Sequence, residues 1–155
     1  NHRALKGTDA LVDAIASLER EGVAIELTLL ERVPNEEVRA AMAEADVIVD
    51  QLVIGWYAMF ALEGMAMEKP VVCYVRPDFA SFYIDAGLLE PGELPLVQAD
   101  VRTIEQTLRA LAADPSSHKA IGERSRAYVE RHHSLEVVGE AFERILAGLG
   151  IHPCP

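Results

Sequence analysis

The residues with chemistry to offer are two cations near the start of the chain and a glycine that opens a helix further along. Arg3 and Lys6, with His2 beside them, stand just ahead of a predicted helix in a chain of net charge −11. Cations at a helix N-terminus form an electropositive spot against that acidic background. A second helix start follows Gly55. Free backbone N–H groups and the helix dipole both favour negative charge at such a start, and glycine permits close backbone approach. A diphosphate is a suitable guest. Asp50 ends an apolar run, at the strand end where sites gather in open α/β sheets. Asp46 reads as closing the preceding turn. The adjacent His132 and His133 do not read as a metal pair, because helix neighbours point about 100° apart. They read as a helix end, with Ser134 capping the next helix.

These groups must be held by alternating strands and helices. Thr8 or Asp9 can cap a helix running to about Glu21, with Leu11, Ile15 and Leu18 on one face and Gly22 as the stop. Residues 23–30 are rich in β-formers and read as a strand. Pro34 and Asn35 break it, and Asn35 can cap a helix through Glu44. Residues 46–50 form a short apolar strand, 57–67 a helix, 70–75 a buried strand, 79–86 a short helix and 94–98 a fourth, weaker strand. Helices are expected over 101–113, 116–131 and 134–148. Short apolar strands alternating with amphipathic helices predict a Rossmann-like, doubly wound α/β fold with a mainly parallel sheet and C-terminal helices. The chain opens on a polar loop that leads into a helix, a place where such a fold has just left a strand. The expectation is one domain over 1–155 that is a fragment, its first strand lying upstream. A natural four-stranded domain is the alternative.

Length and composition bound the class. The chain has 155 residues, half of them hydrophobic and a quarter charged, the balance of a soluble domain with one core. No run approaches the roughly 18–20 apolar residues that span a bilayer. The acidic balance argues against nucleic acid, whose binding rests on phosphate neutralisation by Lys and Arg. Cys73 lies in an apolar run and reads as a small core residue, and Cys154 lies in the tail. Two cysteines make neither a disulfide framework nor a zinc pattern, so a cytoplasmic location is expected and no metal.

The stretch 55–72 resembles the signature of retaining glycosyltransferases of the GT-B fold, family 4-like. In that family a glycine-containing loop leads into a helix carrying a glutamate, a small residue, Met and Ala. The helix ends in a Gly-Lys/Thr-Pro-Val turn that enters the next strand. Leu62-Glu63-Gly64-Met65-Ala66 and Lys69-Pro70-Val71-Val72 fit it. Arg3-Ala4-Leu5-Lys6-Gly7 is similar to a second landmark, in which an Arg and a Lys-Gly pair hold the donor diphosphate. The resemblance covers the chain from Arg3 to about Leu149. It implies a C-terminal donor-binding domain. Arg3, Lys6, Ala58 and Met59 would hold the diphosphate of a nucleoside diphosphate sugar, and Glu63 the ribose hydroxyls. A carboxylate suits that last task because it can accept from two neighbouring hydroxyls. Val33 and Pro34 would sit in the loop under the nucleobase, and Gly55, Trp56 and Tyr57 on the sugar side. Both cations would also stabilise the departing diphosphate. No cofactor or metal is implied beyond the donor substrate. The implied partner is an N-terminal GT-B domain of the same protein, and any peripheral membrane association would run through that domain.

The chain also departs from the pattern. Many members carry two glutamates eight positions apart, and Gly55 stands where the first belongs. That glutamate is linked to the sugar and to catalysis, so the segment speaks for donor binding and assigns no catalytic residue. Two other readings remain. One is a GT-B nucleotide-sugar epimerase sharing the diphosphate site. The other is a response-regulator-like signalling module with Asp50 as phosphoacceptor. The latter lacks an acidic pair at its first strand and leaves Arg3, Lys6 and Glu63 without a role.

Overall fold

The structure, a computed structural model, describes residues 3–151; His2 and Cys154 lie outside them. It is a mixed α/β chain built around a small parallel sheet. Strands β1 (Ile48–Val49), β2 (Val71–Cys73) and β3 (Val97–Gln98) lie in the order β1-β2-β3. Ile48 pairs with Val71, and Val72 with Val97. All three residues of β2 are fully buried, as expected of a central parallel strand covered on both faces. Val72 points into one apolar cluster, Val71 and Cys73 into the other.

The first cluster is built by α2 (Thr8–Arg20) and α6 (Ile104–Ala113). Leu11, Ala14, Ile15 and Leu18 of α2 meet Ile104, Leu108 and Leu111 of α6 over Val72. Full burial of each large aliphatic side chain is worth roughly 2 kcal/mol. The second cluster lies under α3 (Asn35–Glu44), α4 (Met59–Ala66), α5 (Pro77–Asp85) and α7 (Ser117–His133). Met42, Ile48, Ala61, Met65 and Tyr128 fill it. Helix α7 runs against α4 so closely that a Cβ on Gly122 would lie 1.9 Å from the Glu68 carbonyl oxygen. Arg126 of α7 donates to the Ala66 carbonyl at 2.7 Å, satisfying a C-terminal acceptor of α4. The final helix, α8 (Leu135–Gly148), buries none of its residues and exposes Leu135, Phe142 and Ile145. Among the described residues no helix is long and apolar enough to cross a membrane.

Several sequence expectations need correction. Residues 23–30 do not join the sheet. Their period-2 pattern is real, since Val23, Ile25 and Leu27 pack on the first cluster while Ala24, Glu26 and Thr28 are exposed. A strand also requires a hydrogen-bonded neighbour, and the described residues offer this segment none. The segments expected at 46–50 and 94–98 pair over two residues each. The opening loop contains a short helix, α1 (Arg3–Lys6). Helix α2 is capped by the left-handed Gly7 rather than by Thr8 or Asp9, and α3 by Pro34 rather than Asn35. Helix α4 starts at Met59, two residues after the expected Tyr57, because Ala58 is extended. Helix α6 starts three residues late: the Asp100 carboxylate accepts from the amides of Arg102 (2.8 Å) and Thr103 (3.0 Å), folding residues 101–103 into a turn. Gly22 and Ser134 act as expected. Gly22 takes φ +81° just after α2, and the Ser134 hydroxyl accepts from the Val137 amide at 3.3 Å.

Candidate functional site

The site lies at the carboxyl edge of the sheet and is organised by Asp50, one residue past β1. Its side chain is fully shielded from solvent. Oδ1 accepts from the Lys6 ammonium at 2.9 Å, and Oδ2 accepts from the Ala58 amide at 3.2 Å. Lys6 arrives from α1, which is tied down where the Leu52 amide donates to the Lys6 carbonyl at 2.9 Å. A buried carboxylate is tolerated only when paired and hydrogen-bonded, and here a third-exposed cation and a backbone amide do both. The arrangement fixes Lys6 against the start of α4. Its Nζ lies 5.3 Å from the centre of the Phe60 ring, in the first turn of that helix.

The start of α4 is otherwise open. Ala58 caps it without a side-chain hydrogen bond. The amides of Met59, Phe60 and Ala61 have no acceptor among the described residues. Free first-turn amides next to a lysine are the elements of an anion site. Glu63 lies one turn further on, three and four residues beyond Phe60 and Met59, and therefore on their side of the helix. It is half-exposed and makes no ion pair or side-chain hydrogen bond among the described residues. Because α4 begins at Met59, Glu63 stands about one turn from the helix start.

The loop ahead of α4 is held from beneath. Gln51 is buried, and its side-chain amide donates to the Trp56 carbonyl. Gly55 has φ +94°, and the Arg76 amide donates to its carbonyl at 2.9 Å. A Cβ at Gly55 would fall 2.3 Å from Cγ of Arg76. The backbone conformation and the crossing Arg76 side chain together make a glutamate at this position strained while the loop keeps this path.

The other sequence candidates divide into two groups. Arg3 shares the short α1 with Lys6 but points away, pairing with Asp9 (3.2 Å) and Glu31 (3.5 Å). The second contact draws the loop containing Val33 and Pro34 to the same edge of the sheet; Pro34 is exposed and Val33 half-buried. Trp56 and Tyr57 turn toward the opposite side. The Trp56 ring stacks on Tyr83 at 4.5 Å and on Tyr57 at 5.0 Å. The Tyr57 hydroxyl is 2.8 Å from that of Tyr128 and 3.2 Å from Nε2 of His133. Burial, then the Tyr128 contact, pushes the Tyr57 phenol far above its usual range. Burial, then the neighbouring His132, lowers the pKa of His133. The side-chain environment of these two aromatics is a packed network joining the loop to α7. His132 contacts Glu93 at 2.7 Å, and a backbone amide from Glu90 followed by His132 holds that carboxyl below its usual range.

Sequence reasoning underweighted Asp50 and missed Gln51, Arg76 and the Tyr57–Tyr128–His133 network. The signal for Asp50 was its place at the end of an apolar run, and Gln51 follows it directly. Cys73 is core, as expected, and burial followed by the nearby Asp50 pushes its thiol up to about 12. Among the described residues no group of His, Cys, Asp and Glu is placed to hold a metal ion. A concavity of about 300 Å³ lined by Leu94, Leu96, Ile121 and Tyr128 lies before β3, away from the carboxyl edge. Comparison with family models, with curated proteins and with solved structures finds no match to this chain.

Proposed function

We propose that the chain is the nucleotide-sugar-binding domain of a retaining GT-B glycosyltransferase, with a Rossmann-like doubly wound fold. The observation that carries this reading is the placement of Lys6 beside three free amides at the start of α4, with an unpaired Glu63 one turn further on. A diphosphate fits the amides and the ammonium; ribose hydroxyls fit the carboxylate. Supporting it, Gly55 takes φ +94° in the loop ahead of α4, and Val33 and Pro34 lie in the loop that Glu31 ties to α1. In transfer, negative charge grows on the departing diphosphate, and a lysine held beside the start of α4 stabilises it. The proposal carries no metal. The acceptor and any base belong to an N-terminal domain of the parent enzyme. The phosphoacceptor reading fits less well, since the Asp50 side chain is inaccessible and already engaged at both oxygens.

Calorimetric titration with UDP and GDP tests the assignment. Binding of one of them is expected, weakened about tenfold or more by Lys6→Ala and severalfold by Glu63→Gln, since a hydrogen bond to a charged group is worth roughly 1.5–3 kcal/mol. Equal affinity in the wild type and both variants overturns it. The chain alone is expected to transfer no sugar.

A further inference from the structure

The loop that leads into α4 is tied to the far end of α7 by a chain of three side chains. The Tyr57 hydroxyl lies 2.8 Å from the Tyr128 hydroxyl and 3.2 Å from Nε2 of His133, the last residue of α7. Tyr128 is buried, and its hydroxyl has no other hydrogen-bond partner among the described residues. Both phenol rings lean on the His133 ring, Tyr57 edge-on at 5.9 Å and Tyr128 tilted at 5.7 Å. Burial raises the pKa of each phenol, so both stay neutral.

A count of protons gives this chain a direction. Each phenol has one proton to donate, so the two hydroxyls need one acceptor beyond themselves. Nε2 of a neutral His133 supplies it: Tyr128 donates to Tyr57, and Tyr57 donates to His133, whose own proton sits on Nδ1. A protonated His133 is a donor at both nitrogens. The chain must then reverse, His133 donating to Tyr57 and Tyr57 to Tyr128. The Tyr128 hydroxyl is left with a proton and no acceptor. A buried donor without a partner costs about 1–3 kcal/mol. The neighbouring charges come from α7 and the turn before β3. His132 adjoins His133 and contacts Glu93, which Arg131 also pairs with. The loop brings Tyr57 alone, and α8 brings no ion pair or hydrogen bond to His133 among the described residues. The carboxyl end of α7 favours a cation, whereas burial and then His132 lower the His133 pKa.

We infer that Tyr128, Tyr57 and His133 form a proton-operated latch, in which a neutral His133 holds residues 55–58 against α7 and a protonated one releases Tyr57 and the approach to α4. The folded pKa of His133 lies below the ordinary 6.5. The latch is therefore closed above about pH 6.5 and opens as pH falls through the lowered value. It acts on the loop with or without a nucleotide at α4.

The test reads both ends of the chain from about pH 8 to 5, the range in which histidine titrates, at a temperature well below unfolding. NMR follows the ring protons of His133. Fluorescence follows Trp56, the only tryptophan, which stacks on Tyr57 at 5.0 Å and on Tyr83 at 4.5 Å. Emission is expected to change with the midpoint of His133, to stay flat in His133→Gln and to keep its transition in His132→Gln. Tyr128→Phe removes the hydroxyl that protonation would orphan, and the half-buried Tyr57 can then donate to water. It is expected to raise the His133 midpoint by about one pH unit, a tenfold gain in proton affinity. Burial alone predicts the opposite, because phenylalanine makes the surroundings more apolar and disfavours the charged ring. A midpoint that stays or falls in Tyr128→Phe overturns the inference. So does Trp56 emission that ignores the His133 titration, or an emission change that survives His133→Gln.

Discussion

At Asp50 a single carboxylate holds a cation and starts a helix, which makes it a competitor for any anion that Lys6 and α4 attract. Asp50→Asn keeps the volume and one acceptor but removes the charge. Stability is expected to fall by about 2 kcal/mol in urea unfolding, the scale of a lost charge-assisted hydrogen bond in a partly exposed pair. Affinity for UDP is expected to rise, because the freed ammonium meets the ligand instead. His133 makes a separate prediction. Burial lowers its folded pKa below the ordinary 6.5, so the unfolded chain binds the proton more readily. The stability it contributes is complete above about pH 6.5 and is lost as pH falls toward the lowered folded value. His133→Gln is expected to flatten the fall in Tm between pH 6.5 and 5; an unchanged slope excludes this residue as its source. In the sequence Lys6 stood out as a cation just ahead of a predicted helix, and Glu63 only through the resemblance of 55–72 to a family signature. The sequence did not show that Arg3 would turn to Asp9 and Glu31, because nothing local distinguishes two solvated cations on the same short helix.

At the level of elements, helices were read well and strands poorly, for a physical reason. A helix satisfies its backbone within itself, so Leu11, Ile15 and Leu18 on one face were enough to place α2. A strand depends on a distant partner, and the alternation in 23–30 carries no word on whether that partner exists. Turn chemistry explains the shifted boundaries: the Asp100 carboxylate holds residues 101–103 out of α6. The junction of α4 and α7 leaves no room for a side chain at Gly122. Gly122→Ala drives a methyl group into the Glu68 carbonyl, a backbone atom that cannot swing aside. A loss of about 3 kcal/mol is expected, the upper end of overpacking costs. Glu68 itself sits at φ +58°, in the place where the resembling turn carries glycine. Glu68→Gly is expected to stabilise by up to about 1 kcal/mol, the relief of left-handed strain less the added freedom of the unfolded chain. Thermal unfolding of the two variants checks both signs.

Across the whole molecule, parallel strands place their carboxyl ends together, and everything at that edge follows. Asp50 follows β1, Lys6 of α1 reaches it, and α4 starts beside it. The helical pattern and the order of elements announced this edge from sequence. The loop between Asp50 and α4 was not legible, because its path depends on Gln51 from below and Arg76 from the side. The central claim is that the free amides of α4 and the Lys6 ammonium form one diphosphate site. It is tested most directly by NMR titration of the chain with UDP, following the backbone amides of Met59, Phe60 and Ala61. The account predicts saturable shifts at these three amides, the largest in the first turn of α4, that are abolished or reduced at least tenfold in affinity by Lys6→Ala. Saturable shifts confined to other elements, or shifts at α4 indifferent to Lys6→Ala, would contradict it.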